Sequence, residues 1–221
     1  MALFLQKMGA IIDYHVDRTF IVEGVNSLAG TGHAIMPDRL VAASLGLAAV
    51  ATGGDLFVRG ARQGDLLTFL NALRRVGGGF EVAGDGIRFF RRGSLRSIAV
   101  ETTVHPGFMT DWQPPFAVLL TQAEGMSVIH ETVFEDRFVY ISELQKMGAD
   151  IELYDTCLGG GECRFAAMGH RHSAVIKGPT ALRGAEISVP DLRAGFTYLI
   201  AAVCAEGRSV IRGVEELDRG Y

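Results

Sequence analysis

Apolar residues fall along the chain in two alternating kinds of segment. In the first kind they cover every face of a helix: Leu40-Val41-Ala42-Ala43, Phe116-Ala117-Val118-Leu119-Leu120 and Tyr198-Leu199-Ile200-Ala201-Ala202. A helix that is apolar all round is a buried helix. In the second kind they recur on one face only. Phe69, Leu70, Leu73 and Val76 keep helical spacing while Arg74 and Arg75 face away, which predicts a helix with one buried stripe. Short runs between them read as strands: Asp55–Val58, Met126–Ile129 and Arg208–Ile211 after the first kind, and Ile11-Ile12, Phe80–Val82 and Ile151–Leu153 after the second.

These segments repeat in a fixed order. Asp38, Asp111 and Asp191 each open an apolar helix that stops at Gly54, Gly125 and Gly207, with spacings of 16, 14 and 16 residues. Eleven residues after each of those glycines stands another Asp: Asp65, Asp136 and Asp218. The phrase Leu144-Gln145-Lys146-Met147-Gly148-Ala149 then closes an amphipathic helix; Leu73–Gly78 is its counterpart, and Leu5-Gln6-Lys7-Met8-Gly9-Ala10 repeats it near the start of the chain. Asp accepts hydrogen bonds from the free N–H groups of a first helical turn, and Gly takes the left-handed residue past the last one. Each unit thus reads cap, buried helix, stop, strand, cap, amphipathic helix, stop, strand. The fold class is α/β, with about three βαβαββ-type repeats, helices inside and sheets outside. The repeats are expected at about 19–92, 93–170 and 171–221, the last truncated, with 1–18 as the tail of a preceding domain.

Composition narrows the function. The 221 residues carry a net charge of −4, a poor match to the basic footprint that nucleic acid requires, so no nucleic-acid partner is expected. Membrane association is not expected either: no run approaches the roughly 18 uninterrupted apolar residues of a membrane span, and no secretory signal opens the chain. Three cysteines argue against a disulfide framework and for a reducing, cytoplasmic setting. Eighteen of the 21 basic residues are Arg; a genome rich in G and C explains that as well as a need for anion-binding forks does.

Four phrases in order carry a resemblance: His105-Pro106-Gly107-Phe108-Met109-Thr110-Asp111-Trp112-Gln113, Glu131-Thr132-Val133-Phe134-Glu135-Asp136-Arg137-Phe138, Asp191-Leu192-Arg193-Ala194-Gly195 and Asp218-Arg219-Gly220-Tyr221. They resemble the signatures of the UDP-N-acetylglucosamine enolpyruvyl transferases, and the likeness runs from Phe4 to Tyr221. The related shikimate-pathway transferase shares the fold, but its Arg-rich and Gly-Ser-Lys-Ser phrases are absent here. The resemblance implies the enolpyruvyl transferase fold, an inside-out α/β barrel-like domain. It further implies transfer of the carboxyvinyl group of phosphoenolpyruvate to the 3-hydroxyl of UDP-N-acetylglucosamine, at the start of peptidoglycan precursor synthesis. Those two molecules are the expected partners, together with a missing N-terminal domain that bears the family's loop cysteine; no cofactor is expected.

By the same resemblance Asp111 takes the proton of the sugar hydroxyl, and Asp191 bears on proton chemistry at the methylene carbon. Arg137, Arg193 and Arg219 contact phosphoenolpyruvate, and Val133 and Glu135 lie near the sugar. Arg137 and Arg219 each follow an Asp cap, where the helix dipole disfavours a cation unless an anion lies between. Asp38-Arg39 looks alike locally and reads as structural. Two rivals stand beside this: a non-catalytic module on the same fold, and a transferase for another alcohol. Cys157, Cys163, His170 and His172 fall close together, but Cys-x5-Cys with His-x-His matches no common zinc spacing, so no metal is expected. Gly159-Gly160-Gly161 reads as a hairpin loop. The basic run Arg88, Arg91, Arg92, Arg96 around Phe89-Phe90 reads as an edge strand guarded by charge.

Overall fold

The computed structural model describes residues 1–161, 163–189, 194–215 and 217. They form two compact units, Met1–Pro37 and Asp38–Tyr221. In the first, helix α1 (Ala2–Lys7) leads into an antiparallel hairpin of β1 (Ile11–Tyr14) and β2 (Phe20–Glu23).

The second unit is built round three helices: α2 (Arg39–Thr52), α4 (Gln113–Thr121) and α6 (Gly195–Cys204), each packed on the other two. They are the three segments that the sequence marks as apolar all round. Every residue of α4 is buried. Sheets lie outside this core. The first has the order β3 (Asp55–Arg59), β5 (Gly86–Arg91), β4 (Gly78–Ala83), and the amphipathic helix α3 (Leu67–Val76) packs beside β4. The second has the order β6 (Ala99–Glu101), β7 (Gly125–His130), β9 (Ser173–Gly178), β8 (Asp150–Tyr154), with the short α5 (Ile141–Lys146) before β8. The third pairs β10 (Glu186–Ser188) with β11 (Val210–Arg212) in parallel, as β6 pairs with β7. Among the described residues the sheets stay separate and do not close into a continuous barrel.

The repeat holds at the level of single hydrogen bonds. Gln6 Nε2 donates to Ile12 O at 2.6 Å, and Gln145 Nε2 to Ile151 O at 2.8 Å, across the same six-residue offset. Arg96 N donates to Val76 O and Arg183 N to Met147 O, both at 2.8 Å. The glycine after each amphipathic helix is left-handed, with φ of 103° at Gly9, 101° at Gly77 and 92° at Gly148.

Other details depart from the sequence reading. Asp38 caps α2, accepting from Leu40 N at 2.7 Å and Val41 N at 3.3 Å. Asp65 and Asp111 lie instead in 3-10 turns, and neither α3 nor α4 has a side-chain cap. The reason at α4 is covalent: Pro114 and Pro115 fill its first turn and have no N–H to donate. The stop after α2 falls on Gly53, φ 72°, one residue before the expected Gly54. The basic run at Arg88 is not an edge: β5 is the central strand. Arg88 reaches both neighbouring strands, binding Asp55 with two nitrogens at 2.8 and 2.5 Å and Glu81 at 3.3 Å. That hydrogen-bonded guanidinium holds the Asp55 carboxyl below its ordinary pKa. Charge there matches partners across the solvent face of the sheet rather than repelling other edges. The loop around Gly159–Gly161 does join an antiparallel pair, β8 and β9.

Urea denaturation separates these roles. Phe116→Ala is expected to cost about 3–5 kcal/mol, since it empties a fully buried site. Asp38→Ala should cost about 1 kcal/mol, and Asp65→Ala, which removes no cap, less than about 0.5 kcal/mol.

Candidate functional site

Two turns meet beside the first residues of α4. One is the 3-10 turn Thr110–Trp112; the other follows β7 and runs from Glu131 to the 3-10 turn Arg137–Tyr140. Glu131 ties them together. Its side chain is fully buried, and both carboxylate oxygens are occupied. Oε1 accepts from Val133 N at 2.8 Å and Phe134 N at 3.0 Å, while Oε2 accepts from Thr110 Oγ1 at 2.9 Å and Gln113 Nε2 at 3.4 Å. A buried carboxylate is tolerated only when its lone pairs are met by donors, as they are here.

Asp111 caps no helix and pairs with Arg137 instead. Arg137 Nη2 lies 3.2 Å from Asp111 Oδ1. The exposures are unequal: the Arg137 side chain is 3% exposed and that of Asp111 28%. The cation is thus sunk beneath a carboxylate that still meets solvent. Asp136, just before it, adopts φ 48°, a left-handed turn that reverses the chain and sends Arg137 back toward Asp111. Arg137 Nε is buried and finds no hydrogen-bond partner among the described residues, and the same holds for the Tyr140 hydroxyl. Burial pushes the Tyr140 hydroxyl well above its ordinary pKa; the nearby Arg137 opposes that shift, and Glu131 and Tyr198 add to it. Tyr140 is therefore neutral at any ordinary pH.

Of the residues singled out from the sequence, Asp111 and Arg137 are brought into contact. Val133 supplies its backbone N–H to Glu131. Glu135 is exposed and ion-paired with Arg164. Asp191, Arg193 and Arg219 lie outside the described residues.

The chain matches the family described as EPSP synthase (3-phosphoshikimate 1-carboxyvinyltransferase) over residues 1–221. It belongs to that family. Within the family it is similar to proteins named UDP-N-acetylglucosamine 1-carboxyvinyltransferase. That of Protochlamydia amoebophila is 54% identical over 222 residues, and that of Chlamydia pneumoniae 52% over 223. All of this chain is covered in both cases, against 48% and 49% of the relative. The chain thus spans about half the length of the curated relatives it matches. Among solved structures, the enolpyruvyl transferase NikO from Streptomyces tendae superposes with a TM-score of 0.81 at 25% identity, covering 98% of this chain and 48% of that one. The enolpyruvyl transferase fold expected from the four phrases is the observed one.

Glu131 opens the second of the four phrases, where sequence alone assigns it no role. The available signal was a carboxylate directly after an apolar strand and before a turn, where it can accept from the N–H groups two and three residues on. A second grouping was also missed. His130, Cys157, Cys163 and His172 place one ligand atom each within 4.8 Å of the others. The spacing argument had linked the two cysteines to His170 as well. In the structure His170 turns away to Asp136 at 3.3 Å, and His130, at the end of β7, takes its place. No spacing rule reaches His130, because sheet pairing rather than sequence brings it in.

Glu131→Ala should destabilise the chain by at least about 3 kcal/mol in urea titration, because several buried donors lose their acceptor at roughly 1–3 kcal/mol each. Glu131→Gln should cost less, since one amide oxygen still accepts.

Proposed function

We propose that this chain supplies the phosphoenolpyruvate side of an enolpyruvyl transferase acting on UDP-N-acetylglucosamine. The reaction joins the sugar 3-oxygen to the carboxyvinyl group and releases phosphate, the first committed step of peptidoglycan precursor synthesis. The setting is cytoplasmic, and the biological role is cell-wall biogenesis, with its consequences for cell shape and division. The observation that carries this reading is the Asp111–Arg137 pair, a partly exposed carboxylate against a buried cation.

The chemistry needs both halves of that pair. A hydroxyl attacking an enol carbon must lose its proton, and in this reading the solvent-accessible Asp111 carboxylate takes it. Phosphoenolpyruvate carries a phosphate and a carboxylate, and a guanidinium with an unused N–H suits either. Because Arg137 is held by packing, it needs little reorganisation when the anion arrives. Arg193 and Arg219 complete the anion clamp in this reading. Asp191 serves proton transfer at the methylene carbon, and Val133 and Glu135 border the sugar. The missing N-terminal domain supplies the rest of the site, with residues 1–18 as its tail.

The relatives at 54% and 52% identity support UDP-N-acetylglucosamine over another alcohol as acceptor. The ordered burial of Arg137 supports a working site over a non-catalytic module.

Thermal unfolding tests the anion half. Phosphoenolpyruvate at ten times its Kd should add about 1.4 kcal/mol, or roughly 3–6 °C in Tm for a chain of this size. Arg137→Ala should abolish the shift and Arg39→Ala should leave it. Equal effects of the two substitutions, or no shift in the unsubstituted chain, would overturn the assignment. The isolated chain should release no phosphate from the two substrates. In the two-domain protein, Asp111→Asn should lower kcat by about 10²–10⁴ with a smaller change in the KM for phosphoenolpyruvate.

A further inference from the structure

We propose that His130, Cys157, Cys163 and His172 form a tetrahedral zinc site that fastens the β8–β9 loop beside the candidate active site. The inference is independent of the transferase reading. It rests on four ligand atoms of the right kinds, all within 4.8 Å of one another, with Cys157 Sγ already 3.3 Å from His172 Nε2. A tetrahedral zinc ion with two nitrogen and two sulfur ligands holds its donor atoms about 3.3–3.8 Å apart, so modest side-chain movement closes the site.

The histidines are oriented for it. His130 Nδ1 lies 3.1 Å from Glu101 Oε2, and His172 Nδ1 lies 2.7 Å from the His170 carbonyl. With each Nδ1–H donating to an oxygen, the lone pair of each ring is on Nε2, which in His172 lies 3.3 Å from Cys157 Sγ. His130 Nε2 is buried and has no hydrogen-bond partner among the described residues. A carboxylate or carbonyl behind a histidine, leaving the opposite nitrogen free to ligate, is the outer shell that metal sites use. The glycine run is explained as well. A Cβ on Gly159 would fall 1.9 Å from His130 Nδ1 and 2.2 Å from Glu101 Oε2, so only a bare backbone can lie across that pair. Gly161 N also points at Glu101, at 3.4 Å.

Binding displaces one proton from each thiol and forms two Zn–S and two Zn–N bonds, with no change of oxidation state. The consequence reaches the rim of the site described above. The same loop carries Arg164 to Glu135 and His170 to Asp136, the residues just before Arg137. Zinc would therefore hold the loop that braces that turn.

The test uses the full 221-residue chain, purified under reducing conditions, loaded with Zn²⁺ and freed of excess metal. Elemental analysis should find one zinc per chain. Cobalt loading should give the intense visible bands of a tetrahedral thiolate site. Cys163→Ser and His130→Gln should each lose the metal, while Cys204→Ser keeps it. A second readout needs no variant: zinc should shield Cys157 and Cys163 from alkylation, and a chelator should restore their reactivity. Cys204, whose thiol burial pushes up to about 11, reports the background in both states. Zinc content no higher than in the Cys163→Ser chain, or alkylation of Cys157 and Cys163 unchanged by metal and chelator, would overturn the proposal. A Cys157–Cys163 disulfide in place of metal binding would do so too.

Discussion

The buried carboxylate of Glu131 fixes the geometry on which the candidate site depends. Its four donors come from two stretches of chain that sequence separates by about twenty residues: Thr110 and Gln113 at the start of α4, Val133 and Phe134 after β7. A fully buried carboxylate left without donors would cost several kcal/mol, so the two turns are held in register by a strong penalty against separating. Asp111 and Arg137 stand on those two turns. Their contact is partly exposed and would contribute little alone. It is ordered because the carboxylate beneath it is.

That arrangement is possible because α4 is wholly buried and carries two prolines directly after its first residue. The apolar helix leaves no polar face to solvate, so the end of α4 is where its polar groups can gather. Pro114 removes one of the two N–H groups, those two and three residues on, that a capping Asp111 would use. The residue that looks most like a helix cap instead pairs with Arg137 and keeps part of its carboxylate in solvent. The reverse holds in the preceding repeat, where Asp38 caps its helix through Oδ1, accepting from Leu40 N and Val41 N.

The end of β7 serves two neighbourhoods at once. Successive side chains of a strand point to opposite faces. His130 turns toward the cysteine loop and Glu131 toward the α4 turn. The loop returns across this junction through Arg164 and His170 to Glu135 and Asp136. Order in one neighbourhood is therefore mechanically linked to order in the other, through one strand end and one loop.

Local signals determined a great deal. Helices apolar on every face must be buried, and three of them at regular intervals imply a core of helices with sheets outside; that is the fold observed. Gly77 and Gly148 end helices as placed, because a left-handed stop is a property of one residue. The four phrases carried the family for the same reason: each is a contiguous run. What failed to show in the sequence is whatever depends on a partner far along the chain. Asp111 was read as a cap, and its true partner is 26 residues away. Arg88 was read as an edge guard, and the order of three strands made it a bridge. His130 joined the cysteines only because β7 pairs with β9. Helix burial and chain reversal are decided by neighbouring residues and so can be read locally. Charge pairing and ligand clustering are decided by which strands and turns become adjacent, and only the tertiary structure fixes that.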